Sequence, residues 1–189
     1  VSDTRDLSTD RSGDTLVVAA FGGDTTTGLY RVARQAYDNL AGLTDAVHQF
    51  YTPTIVDALA RGRTDAYRRH RRRLMAIGTV AAVVSVLASW LLLRPIAAAG
   101  WPQYLPALPA FDIFAALLVA TLGVHGWLWP AVVSAGRVGQ FGILALSGAA
   151  AQVAAIAVLG ATGGLSPASA AATAWLAALI NYGPLLAAG

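Results

Sequence analysis

Four runs of about twenty residues, nearly free of charge, restrict this chain more than any short motif does. Residues 74–93 hold no charged side chain; they follow a block of arginines and stop at Arg94-Pro95. Residues 113–136 are interrupted only by His125 and Pro130, residues 138–165 are rich in Ala and Gly, and residues 168–189 close the chain. A helix needs about 20 apolar residues to cross the hydrocarbon core of a bilayer. The joining segments are short and carry helix breakers: Pro102, Pro106 and Pro109 in one, Gly163, Gly164 and Pro167 in another. The pattern predicts four membrane-spanning helices.

Composition agrees. Only 12% of the 189 residues are charged and 56% are hydrophobic, whereas a soluble domain carries about 25% charge. That argues against an ordinary soluble enzyme, and so much apolar surface excludes a disordered chain. Cysteine is absent, so there is no disulfide framework, thiolate nucleophile or Cys-based zinc site. All 13 cations are Arg and all 10 anions are Asp, and after Pro95 only Asp112 and Arg137 are charged. The net charge of +3 therefore describes the first half alone.

That first half is amphipathic. Residues 1–14 are polar, and no signal peptide is visible. Position 1 is Val and the only methionine is Met75, which predicts an internal start within a longer parent or a half-length gene. Asp3, Asp6, Asp10 and Asp14 fall on one face of a first helix ending near Gly22-Gly23. Residues 28–60 read as a long helix with a break near Pro53, about 50 Å from end to end. Arg31, Gln35, Asp38, Gly42, Asp45, Gln49 and Thr52 form a polar stripe along it. The stripe fits a helix lying on the membrane surface, or a spanning helix that lines a water-filled cavity. Length and position ahead of four spans favour the second. The expected fold is an all-α polytopic bundle of about six helices in a single membrane domain over 1–189: a helix pair in 1–60, an arginine-rich loop at 61–73 and four apolar spans in 74–189.

Orientation follows from the arginines. With residue 1 in the cytoplasm, loop 61–73 is also cytoplasmic and holds Arg61, Arg63, Arg68, Arg69, Arg71, Arg72 and Arg73. Together with Arg5, Arg11 and Arg137 this puts 10 of the 13 arginines inside, as the positive-inside rule requires. The block at 68–73 is read as a topological anchor next to a span, in contact with anionic lipid, and not as a nucleic-acid site. His48, His70 and His125 are far apart in sequence and lack zinc spacing. His125 reads as a hydrogen-bonded intramembrane histidine or a proton-linked one. Gln140, Gln152 and Asn181 read as hydrogen bonders between helices. Nothing points to a nucleophile, paired catalytic carboxylates or a phosphate loop, so no enzyme and no cofactor is expected.

The stretch D-T-L-V-V-A-A-F-G-G-D-T-T-T-G-L-Y-R-V-A from Asp14, the long polar helix ending Y-T-P, the charged A-R-G-R-T-D-A-Y-R-R-H and the later W-L-W-P-A-V-V-S-A-G-R-V-G-Q-F-G-I-L-A-L resemble polysaccharide and O-antigen lipid flippases of the multidrug, oligosaccharidyl-lipid and polysaccharide exporter superfamily. The resemblance covers nearly the whole chain. It implies the second lobe of a two-lobed transporter in a bacterial inner membrane, with the first lobe supplied by the same parent chain, a separate chain or a second copy. It also implies a polyprenyl-pyrophosphate-linked oligosaccharide as cargo. Arginine suits a phosphate because its planar fork binds two oxygens. Arg31 and Arg34 are the candidate cations, unless they snorkel to the outer interface. Gln35, Asp38, Asn39, Asp45, His48 and Gln49 are the candidate polar partners. A non-transporting scaffold subunit of a polysaccharide assembly complex, docking through 61–73, and a drug/cation antiporter of the same superfamily are the competing expectations.

Overall fold

A computed structural model of the chain describes residues 13–187; Asp3, Asp6 and Asp10, and the face they were expected to share, lie outside them. The described residues are helical almost throughout and contain no strand. We name the helices α1 (Gly13–Ala60), α2 (Thr64–Gly100), α3 (Pro102–Ser134), α4 (Val138–Ala161) and α5 (Pro167–Ala187). α2 to α5 are each long and apolar enough to cross a membrane. α1 is not among the candidate spans, because Arg31, Arg34, Asp38 and Asp45 interrupt its apolar stretches.

α1 is two helices joined at Gly23, whose φ of 68° and ψ of 173° leave the helical region. That conformation is essentially restricted to glycine. Residues 13–22 consequently fold back along the rest of α1. Asp14 and Arg34 would be about 30 Å apart on a straight helix, yet their side chains meet at 2.6 Å. The expected end near Gly22-Gly23 is thus present. The expected break near Pro53 is not: the helix continues through it. Pro53 costs one backbone hydrogen bond, but Ile55 and Ala58 just beyond it are buried and hold the continuation in line.

The arginine-rich segment also differs from expectation. Only 61–63 form a turn, with Gly62 at φ 64°. Helix begins at Thr64 and carries Arg68 to Arg73 in its first turns. Arginine is a good helix former and the segment has no breaker, so nothing stops the helix running back to the turn. Asp57 receives Arg61 and Arg63 there, in exposed pairs that contribute little.

α2 passes the expected stop at Arg94-Pro95. A π-helical turn at Ser89–Leu93 widens the backbone just before Pro95, and regular helix resumes over Arg94–Gly100. The proline-rich connection is itself helical. Pro102–Ala107 is a tight 3-10 turn leading into helix at Leu108, and proline is tolerated in first helical turns.

α3 is the centre of the bundle: 61% of its most apolar stretch is buried, against 11–17% for the other three candidate spans. Small residues let the backbones approach. A Cβ on Gly78 of α2 would lie 2.6 Å from the backbone nitrogen of Gly123 in α3. One on Gly148 of α4 would lie 2.8 Å from the carbonyl oxygen of Ala177 in α5. The core has two parts. Tyr30, Tyr37, Phe114, Ile156 and Ala170 build one, and Ile55, Leu74, Trp127, Val132 and Phe141 build the other, beside the arginine-rich end. The outer surface is apolar: Leu91 is 69% exposed, Ile143 66% and Leu179 64%. Val80, Val83, Val84, Leu87 and Leu91 form one such stripe along α2. Soluble monomers rarely expose bands of this kind, and a bilayer covers them.

Candidate functional site

The polar residues of α1 divide between two faces. Arg31, Gln35, Asn39, Gly42 and Gln49 are exposed, while Asp38, Asp45, His48 and Thr52 are half-buried. On the exposed face Gln35 donates its side-chain N–H to Asn39 Oδ1 at 3.4 Å. Arg31 is the exposed cation of this stripe.

Arg34 has a different role from the one its sequence position predicts. It is buried, not available at a cavity wall. Its Nη1 donates to Asp14 Oδ2 at 2.6 Å and its Nε to Asp38 Oδ1 at 3.2 Å. The Tyr30 hydroxyl donates to the same Asp14 oxygen, also at 2.6 Å. The guanidinium sits 5.5 Å from the centre of the Phe114 ring, and Phe114 packs edge-on against Tyr30 and stacks on Tyr37. Two carboxylates and an aromatic floor satisfy this cation, so Arg34 ties the folded-back segment to α1 and to α3. The other carboxylate oxygen of Asp14 accepts the backbone N–H of Thr15 at 2.7 Å, in the first turn of the helix, where a negative charge is favoured.

A second partly buried ion pair within the bundle joins α2 to α3. Arg94 Nη2 donates to Asp112 Oδ2, and the Arg94 guanidinium lies 4.0 Å from the centre of the Trp90 ring. Asp112 and Arg94 stand on either side of the proline-rich corner, so the pair closes the α2–α3 hairpin. The charge census already contained this signal: a lone Asp in an apolar half needs a cation, and Arg94 is the last one before that half begins.

The histidines come together in a way their spacing did not reveal. His48 of α1 and His125 of α3 have ring centroids 5.5 Å apart. His125 also stacks on Trp129 at 6.0 Å and 12° and faces Phe141 of α4 and Tyr182 of α5. His70, in the arginine block, packs edge-on against Tyr51, and Arg71 lies 4.7 Å over Trp127. Among the described residues no three His or Asp side chains gather as a metal set. Gln152 Nε2 and Asn181 Oδ1 are buried without a hydrogen-bond partner, and Gln140 is exposed; the expected bridges between helices are not formed by them.

An open apolar groove of about 250 Å³ runs between α1 and the α2–α3 corner, with Val32 and Ala36 on one wall and Ile96, Trp101, Tyr104 and Phe111 opposite. Arg31 directly precedes Val32 in the sequence, and its side chain is exposed. The chain matches no protein-family model, no curated protein and no solved structure.

Proposed function

We propose that the chain is one lobe of a transporter that flips a polyprenyl-pyrophosphate-linked oligosaccharide across a bacterial inner membrane for surface-polysaccharide synthesis. The observation that carries this reading is the division of α1 into two faces. One face is packed into a membrane-type bundle, while Arg31, Gln35, Asn39 and Gln49 are left exposed on the other. Polar side chains at membrane depth belong on a water-filled cavity, and a second lobe facing α1 would enclose one. That lobe comes from the same parent chain, a separate chain or a second copy, and the two rock against each other to expose the cavity to each side in turn. With residues 13–22 folded back beside it, α1 then supplies the first helix pair of a six-helix lobe.

Within the cavity Arg31 offers a two-pronged contact to phosphate, and Gln35, Asn39 and Gln49 offer hydrogen bonds to sugar. The apolar groove along α1 suits the hydrocarbon tail of the same molecule. The arginine-rich turn and the start of α2 stay on the cytoplasmic side. No covalent chemistry is involved.

The test replaces Arg31 and Gln35 together by Ala in the bacterium that carries the chain. Surface polysaccharide is expected to fall sharply at normal protein level. Undiminished surface polysaccharide at that level overturns the reading. A scaffold subunit would keep both its polysaccharide and its partners in this variant, and a drug antiporter would change drug resistance instead.

A further inference from the structure

We propose that the His48–His125 pair is a proton-binding site, reached from the arginine-rich end of the bundle past His70 and Tyr51, and that it takes up the ion that drives transport. The coupling role rests on the transport reading above; the proton site does not.

The pair is built deliberately into the fold. His48 and His125 stand on different helices, yet their rings are 5.5 Å apart. Gly126 makes the room: a Cβ there would lie 2.8 Å from His48 Nε2. Both residues are half-buried, and His48 Nε2 itself is turned into the bundle, away from the outer surface. Histidine is the side chain whose ordinary titration falls between pH 5 and 8. Two imidazoles this close repel each other once both are charged, so the pair takes its protons in two separated steps.

The surroundings favour proton traffic. α1 contributes Asp45 and Tyr51, within one turn of His48 on either side. α2 contributes His70, against Tyr51 at 5.9 Å, and Arg71, held over Trp127. α5 contributes Tyr182, 6.1 Å from His125, and α4 closes the site with Phe141 at 5.8 Å. Beyond the pair, the Tyr37 hydroxyl donates to Thr121 at 3.4 Å. Tyr37 stacks on Phe114, under the Arg34–Asp14–Asp38 network. Titratable side chains therefore recur along α1 at Tyr51, His48, Tyr37 and Tyr30, between His70 of α2 and the Asp14 carboxylate. His48 to Arg34 alone covers about 20 Å of helix. In uptake a solvent proton bonds to a neutral imidazole nitrogen and leaves an imidazolium; in release that same N–H bond breaks to water, and no other bond changes.

Trp129, stacked flat on His125, is the reporter, because an imidazolium quenches an adjacent indole and a neutral imidazole does so weakly. The full chain is reconstituted in phosphatidylethanolamine/phosphatidylglycerol vesicles and titrated with protons alone from pH 8 to 5. The Trp129→Phe signal is subtracted to isolate Trp129. Its emission is expected to fall in two steps about one pH unit or more apart. His48→Gln is expected to leave one step, and His125→Gln none. On the unsubstituted chain, ¹⁵N-histidine NMR is expected to show two imidazoles titrating in coupled steps, a readout that no folding defect of a variant disturbs. A titration in which the two rings behave independently, or a Trp129 signal insensitive to His125→Gln, overturns the proton site. Acid added on the arginine-rich side only is expected to produce the quench; a quench from the opposite side only overturns the route past His70. Coupled titration together with undiminished polysaccharide in the Arg31/Gln35 variant removes the transport reading and leaves the proton site standing.

Discussion

Arg34 and Asp14 meet at 2.6 Å across the fold-back at Gly23, and a third group, Tyr30, donates to the same carboxylate oxygen. A chain with very few charges has thus placed one of its cations where water does not reach. Such a pair contributes modestly when whole and costs heavily when halved, because the remaining charge is buried without compensation. Arg34→Ala or Asp14→Ala is expected to destabilise the protein by about 3–5 kcal/mol, and Arg34→Met with Asp14→Leu to recover most of the loss. Thermal unfolding in detergent checks both. A double variant no better than either single one would refute the pairing.

Gly23 holds a backbone conformation that other residues adopt at a cost of about 1–3 kcal/mol. The space around it is open, so Gly23→Ala is expected to act through the backbone alone. Its effect should show as weaker cross-linking between cysteines placed at positions 15 and 31, with α2 to α5 unaffected.

Gly78→Ala is expected to push α2 away from α3, since the new carbon would meet the Gly123 backbone at 2.6 Å. Overpacking of this kind costs about 1–3 kcal/mol. Gly139→Ala, where nothing lies within 4 Å, is the control and should leave the melting temperature unchanged.

Arg94 and Asp112 predict a charge-swap rescue. Either residue changed alone to the sign of its partner is expected to reduce the amount of protein in the membrane, because two like charges then share one partly buried site. Arg94→Asp with Asp112→Arg restores the pair and is expected to restore the level, read by immunoblot of membrane fractions.

The proposed orientation is checked by labelling. Cysteines replacing Arg68 and Gly163, read separately in whole cells with a membrane-impermeant maleimide, are expected to be protected at 68 and labelled at 163, because α2, α3 and α4 between them carry position 163 to the outer side. Labelling at 68 instead of 163 reverses the topology.

How much of this was legible in sequence depends on the range of the interaction. Spans α2 to α5 follow from local hydropathy, and the break at Gly23 follows from a local glycine pair. Helix limits were harder: 61–73 is mostly helix and not a loop, since arginine carries no stop signal, and Pro53 does not break α1, since tertiary packing of Ile55 and Ala58 outweighs it. The site residues divided in the same way. Periodicity placed Arg31, Gln35 and Gln49 on one stripe, and they are exposed together. It could not show that Arg34 faces Asp14, or that His48 faces His125, because those contacts depend on the fold-back and on how α3 lies against α1.

The π-helical turn at Ser89–Leu93 has a consequence for everything after it. One additional residue in a helical turn advances all later side chains by about 100° relative to an unbroken α-helix. That rotation lets Leu91 point outward while Arg94, three residues on, turns in toward Asp112. Deleting any one leucine from 91–93 would barely alter the hydropathy of α2, yet it would swing the guanidinium a quarter of a revolution toward lipid. At this point the helix is specified by counting residues, not by their kind.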